Sequence, residues 1–180
     1  RAESGYRSAG IEYVTARTTF TLTSADDLIT LGDGAGLGVK RQGVGYRVEG
    51  IGERKLIFEN PEPRQGQTFV STFTFAGTAD GIYSLVYNAG DIIGNLEEAK
   101  AATYAVDNTA PQTGYKVAGI GYSKDGILYI PTESGIYLES ADPVSNGAAS
   151  GLKAVYLGVD GRPFAVYGST FTLNEGIHQI

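Results

Sequence analysis

The residues of this 180-residue chain best able to do chemistry are oxygen donors at the ends of alternating runs: Asp26, Asp91, Asp107, Asp142 and Asn146. Carboxylate and carbonyl oxygens on loops suit Ca²⁺, which accepts irregular oxygen cages. No compact D-x-D-x-D-G loop is present, so the fold would have to gather these groups. The same residues equally end strands by making Asx turns. His178 is the only histidine. A Ser-His-Asp triad needs a histidine in each active module, and zinc is similarly short of ligands in a chain without cysteine. The run Gly32–Gly38 lacks the G-K-[ST] of a phosphate loop and a helix after it, so it reads as a connection. Glu97 with Glu98, or Glu59 with Glu62, could mimic a glycosidase pair, but acids are common on any surface. No catalytic residue is expected.

The elements that would position these groups are strands. Asn95–Ala102 has helical composition, but it is short and lies between strand-like runs. Elsewhere apolar residues alternate at period two: Phe20 and Leu22; Val44, Tyr46 and Val48; Leu56 and Phe58; Phe73 and Phe75; Tyr104 and Val106; Phe171 and Leu173. Ile82–Tyr87 is apolar on both faces, as a central strand is. About seven strands fall in the first hundred or so residues, which predicts an antiparallel β-sandwich of immunoglobulin-like topology.

The chain also repeats itself. Gly5-Tyr6-Arg7-Ser8-Ala9-Gly10-Ile11 returns as Gly114-Tyr115-Lys116-Val117-Ala118-Gly119-Ile120. Leu22–Asp26 returns as Leu138–Asp142, Ser71–Phe75 as Ser169–Leu173, and Gly81-Ile82 as Gly176-Ile177. The offsets of 109, 116, 98 and 95 residues drift as they do when loops change length between fixed strands. In this register His178 takes the position of Tyr83 and reads as a packed or surface residue. The expected domains are therefore 1–110 and 111–180, all-β and in tandem. Asp107-Asn108-Thr109-Ala110-Pro111 marks a stiff link between them. By the same register the second sandwich stops partway through its sixth strand. Either the sequence is a piece of a longer protein, which is the preferred reading, or another chain supplies the missing final strand.

Composition narrows the partners. Glycine is 26 of 180 residues, about twice the ordinary ~7%, which suits short strands and tight turns. The net charge of −6, with few and scattered basic residues, lacks the concentrated basic face that nucleic acids require. No apolar run is long enough to insert in a membrane as a helix. Without cysteine, each sandwich is held by its core alone.

At this point the residues resemble a known group. Tyr87-Asn88-Ala89-Gly90-Asp91-Ile92-Ile93-Gly94-Asn95-Leu96-Glu97 reads as Y-x-A-x-D-x-x-G-N-x-E and is followed by the D-N-T-A-P of Asp107–Pro111. With the L-x-S-A-D strand end, the Y-L-G-V-D-G of Tyr156–Gly161 and the S-T-F-T-[FL] run, these are similar to the bacterial Ig-like repeat modules of large secreted and cell-surface proteins. Module two departs by lacking the D-x-x-G-N hairpin, and module one by its insertion between Gly50 and Phe69. In that insertion Leu56, Ile57 and Phe58 are expected to extend a hairpin, with Pro61 and Pro63 at its end. The resemblance implies an extracellular structural or adhesive role and brings no catalytic residues.

Together these readings point to a non-catalytic spacer or assembly unit, partnered by neighbouring modules or subunits and stiffened by calcium. In such a sandwich Asp107 would face the loops carrying Asp142 and Asn146, while Asp26, Asp27 and Asp91 would share one pole of module one. One alternative is an accessory module of a secreted hydrolase that binds polysaccharide or cell wall through exposed tyrosines, of which the chain has 12 in all. Another is a filament or sheath subunit that assembles by strand exchange.

Overall fold

The computed structural model describes residues 5–26, 36–48, 52–75 and 77–180, and among them the protein is all-β. The glycine run Gly32–Gly38 falls mostly outside the described residues, as does Asp27. Two compact units divide the chain. Unit 1 takes in residues up to Asn108 together with Val144–Ser150, and unit 2 comprises Thr109–Pro143 and Gly151–Ile180. The expected boundary at 110/111 lies two residues beyond this division, and it did not anticipate the separate segment.

In unit 1 the strands are β1 (Tyr6–Ser8), β2 (Ile11–Val14), β3 (Phe20–Ala25), β4 (Val39–Val48), β5 (Gly52–Glu59), β6 (Thr68–Phe73), β7 (Gly81–Asp91) and β8 (Lys100–Val106). Six form one sheet in the order β1-β2-β8-β7-β4-β5, and β3 pairs with β6 in a second. All pairings are antiparallel except β2 with β8, where Glu12, Tyr13 and Val14 face Tyr104, Ala105 and Val106 in parallel.

The alternation read from sequence explains the core. Val44, Tyr46 and Val48 of β4 point the same way as Tyr83 and Leu85 of β7, because successive side chains leave a strand on opposite faces. They meet Phe20 and Phe73 from the second sheet and Phe75 just beyond β6. Phe75 is wholly buried, and the rings of Phe20, Tyr46 and Tyr83 lie 4.8, 4.9 and 5.1 Å from it, the first two edge-on. Edge-on contacts place a ring's positive rim against a negative face, adding to the apolar area removed from water. β7 is central by pairing, yet Val86 on its outer face is 43% exposed, so its apolar pattern does not mean burial on both sides.

Gln42 lies on the inward face of β4 and is also wholly buried. Its Nε2 donates to the carbonyls of Leu22 (3.3 Å) and Phe69 (3.0 Å) and to Ser24 Oγ (3.0 Å). Its Oε1 accepts from the Ser71 hydroxyl. One amide thus ties the larger sheet to both strands of the smaller one.

β5 forms the extended pairing expected of the insertion, antiparallel to β4 from Val48↔Gly52 to Arg41↔Glu59. The helical composition near Asn95 gives no helix. The ladder between β7 and β8 takes up Lys100 to Val106 instead, because pairing and packing outweigh a weak local preference.

Unit 2 contains β9 (Gln112–Ala118), β10 (Tyr122–Lys124), β11 (Ile127–Tyr129), β12 (Gly135–Ala141), β13 (Tyr156–Leu157) and β14 (Ala165–Val166). They pair antiparallel as β9 with β12, β10 with β11 and β13 with β14. Ile136 exchanges backbone hydrogen bonds with Phe171, at 2.7 and 3.0 Å. Ile136 and Ser134 are the buried residues of this unit, while Ile120, Phe164 and Ile177 are at least 79% exposed.

Candidate functional site

The polar residues singled out by sequence occupy separate places in the fold. Asp26 follows β3, and its Oδ2 accepts the amides of Leu37 (2.8 Å) and Gly38 (2.9 Å), fastening the start of β4. Asp91 ends β7. Its two oxygens accept Asn95 N at 2.8 Å and Asn95 Nδ2 at 2.7 Å, while Asp91 N donates back to Asn95 O at 3.0 Å. Gly94, at φ 95°, supplies the left-handed residue this turn needs. Partial desolvation raises the Asp91 carboxyl, but hydrogen bonds from Asn95, Gly94 and Ile93 outweigh it and hold the group below its ordinary range. Asp26 and Asp91 line one surface cavity of about 410 Å³, together with Glu97 and Lys100, which pair at 2.5 Å.

The exit of unit 1 is more densely tied. The β2–β8 ladder continues one residue past β8, as Asp107 N donates to Val14 O at 2.9 Å. Asn108 follows, with its N and Nδ2 both donating to Asp80 Oδ1 at 2.8 Å. Its Oδ1 accepts Ala16 N at 2.7 Å. Asp80 and Asp107 are 7% and 9% exposed, so both carboxylates need the donors that surround them. Ser150 N donates to Asp107 Oδ2 at 2.7 Å, and Asn146 Nδ2 to the Asp80 carbonyl at 3.0 Å. Asn146 and Gly147 take φ 47° and 80° inside a tight turn closed by two hydrogen bonds between Ser145 and Ala148. Consecutive positive φ values make Asn-Gly the natural pair there.

Asp142, in unit 2, accepts Gly151 N on Oδ2 at 2.6 Å, and its Oδ1 is buried without a hydrogen-bond partner. Asp26 and Asp91 thus share the lining of one cavity, while Asp107 and Asn146 belong to the same unit but bond different partners. Among the described residues no group of three or more His, Asp or Glu is arranged to hold a metal ion. Each candidate calcium ligand accepts or donates a hydrogen bond that shapes a turn or ties a strand end.

His178 sits in unit 2, with Nδ1 at 2.7 Å from Asp160 Oδ2 and Nε2 at 3.0 Å from the Asn174 carbonyl. Asp160 and Gly161 take φ values of 55° and 71°, the consecutive left-handed residues of a tight turn. The partnership of Asp160 with His178 was not foreseen. Gln42 and Asp80 were missed as well. Gln42 had a usable signal, since it shares the parity of Val44, Tyr46 and Val48.

Comparison with protein-family models, with curated proteins and with solved structures gives no match.

Proposed function

We propose that the chain is a pair of Ig-like β-sandwich modules serving as a non-catalytic spacer or assembly unit of a larger bacterial secreted or cell-surface protein. The observation that carries this reading is the repetition of structure at the repeated residues. Phe20 faces Phe73 across β3 and β6, and Ile136 faces Phe171 at the matching positions of unit 2. At the next echo Tyr83 Oη donates to the carbonyl four residues back, Ala79 O, at 2.7 Å, and the His178 ring contacts the carbonyl four residues back, Asn174 O. Gly81 and Gly176 precede these corners at φ 155° and 149°.

The topology of unit 1 supports the Ig-like assignment. Strand β2 runs parallel to the last strand, β8, two strands form the opposing sheet, and a tyrosine hydroxyl turns back to the backbone at the start of the penultimate strand. The first echo behaves differently in the two units: β1 pairs with β2, whereas β9 pairs with β12. A leading strand takes whichever sheet edge offers free backbone groups, and in unit 1 β8 draws β2 to the larger sheet.

A spacer must leave each module in a fixed direction. Asn108, held to Asp80 and Ala16, fixes the chain at the exit of unit 1, and Pro111 restricts the backbone three residues later. The test is interdomain order in solution, read from residual dipolar couplings of the whole chain. Alignment tensors of equal magnitude for the two units support the spacer. Strongly unequal tensors would mean independent tumbling and refute it. Sedimentation over a wide concentration range then separates a spacer from an assembly unit.

A second reading, an accessory polysaccharide-binding module, is favoured by Tyr122 and Tyr129. They are 65% and 54% exposed and face each other across β10 and β11, with ring centres 6.5 Å apart. Sugar rings stack on such surfaces. Glycan-array binding that Tyr122→Ala abolishes would favour it; an array that stays blank would remove it.

A further inference from the structure

We propose that unit 2 carries a pH-gated latch, in which the His178 imidazolium ties the segment 174–179 to the Asp160 turn and loss of its proton releases that segment. This goes beyond the spacer reading and does not depend on it. At the matching position of unit 1, Tyr83 makes its backward contact through a hydroxyl. Burial pushes that hydroxyl up, against a smaller opposing hydrogen bond from Thr78, so it keeps its proton across the physiological range. Imidazole has no such constancy.

The geometry demands two N–H donors from one ring. Nδ1 faces a carboxylate oxygen and Nε2 faces a backbone carbonyl, and neither partner has a proton to give. A neutral ring carries one N–H, so in either tautomer a nitrogen lone pair is aimed at an acceptor. Only the doubly protonated ring satisfies both contacts. The rest of the latch converges on the same residue: Gln179 N donates to Asp160 Oδ1 at 3.0 Å, and Asp160 N donates to Gln179 O at 2.9 Å.

The charged groups around the ring agree. Asp160 is in contact, Arg162 acts on Asp160, and Glu175 lies on the same segment beside the same groove. The hydrogen bond that the ring donates to Asp160, and then the one to the Asn174 carbonyl, hold His178 above its ordinary value. The contribution is therefore complete below the ordinary histidine range and is lost as pH rises through the raised value. Release matters because Leu173 and His178 wall a mixed polar and apolar groove of about 500 Å³ that also includes Val117 and Ile136.

The test is an NMR titration of the whole chain, following the His178 ring protons and the exchange protection of the Gln179 amide, corrected for intrinsic rate. The ring is expected to titrate above ordinary histidine, and Asp160→Asn is expected to bring it down. Protection at Gln179 should fall roughly tenfold between acid and alkaline pH, the fold-change of losing one charge-assisted hydrogen bond. In His178→Tyr, which restores the hydroxyl found in unit 1, protection should be flat with pH. A wild-type ring that titrates at or below the ordinary value overturns the latch without recourse to any variant. So does Gln179 protection that does not change with pH, or a pH response that persists in His178→Tyr.

Discussion

Replacing Gln42 by leucine removes the amide that spans the two sheets of unit 1 while nearly preserving volume. The side chain is wholly buried and makes two contacts at 3.0 Å, one at 3.3 Å and one with the Ser71 hydroxyl. Counting three effective hydrogen bonds at about 1 kcal/mol each gives a loss of about 3 kcal/mol. The leucine recovers about 1 kcal/mol by apolar burial, which leaves a net destabilisation of about 2 kcal/mol. Gln42→Glu sharpens the test, since a carboxylate there would face the Leu22 and Phe69 carbonyls. At neutral pH it should cost more than the leucine, at least about 3 kcal/mol. The repelled carboxylate has a raised folded pKa, so its penalty is full above that value and fades as pH falls toward the ordinary carboxylate range. Urea unfolding followed by the methyl signals of Val44 and Val106 reports unit 1 alone. A Gln42→Leu variant within 0.5 kcal/mol of wild type, with an unchanged denaturant slope (about 0.5 kcal/mol being the scale of an ordinary surface change), would refute the reasoning.

Other substitutions probe the remaining ties. Tyr83→Phe leaves the Ala79 carbonyl without its donor and should cost about 1–1.5 kcal/mol in the same assay, with no change in fold. Asp80→Ala removes the acceptor of both Asn108 donors; a loss of about 2–3 kcal/mol is expected, with amide protection at Asn108 falling together with it. Asp91, held low by its turn, stabilises that turn above the ordinary carboxylate range. The contribution disappears as pH falls through the lowered value, which exchange of the Asn95 amide would register and Asp91→Asn would blunt. A calcium titration should move the resonances of Asp142, whose Oδ1 is buried and unpartnered, before those of Asp26, whose Oδ2 already holds two amides. Unchanged Asp142 signals at millimolar calcium would dispose of the calcium reading.

What the sequence made legible was face and repetition. The parity of Val44, Tyr46 and Val48 gave the core side of β4, and two echoes matched strands between the units, while the pairing of Phe20 with Phe73 and of Ile136 with Phe171 emerged only in the structure. Period-two patterning survives because it reports the one thing a half-buried strand must do. The Asn-Gly turn at Asn146 was read as a metal ligand because its side chain type suits both roles, and only backbone dihedrals distinguish them. Asp80 and Asp160 stayed hidden for a different reason: their partners lie 28 and 18 residues away, and no local pattern records a contact across a fold. The switch of the leading strand from pairing β1–β2 in unit 1 to β9–β12 in unit 2 was equally illegible, since it depends on which strand offers free backbone groups.

The parallel pairing of β2 with β8 has a mechanical side. Traction that separates residue 5 from Asn108 first peels β1 from β2, an antiparallel hairpin loaded at its open end, and then enters β2 at its first residue and leaves β8 at its last. In parallel strands those points lie at opposite ends of the shared ladder. The pull therefore runs along the strands, and the ladder bonds, with the Asp107–Val14 and Asn108–Ala16 contacts beyond them, are loaded together in shear. An antiparallel pair held by the adjoining ends would peel open one bond at a time. Once β1 has peeled away, the resistance of unit 1 to end-to-end stretching is concentrated where β2 meets β8.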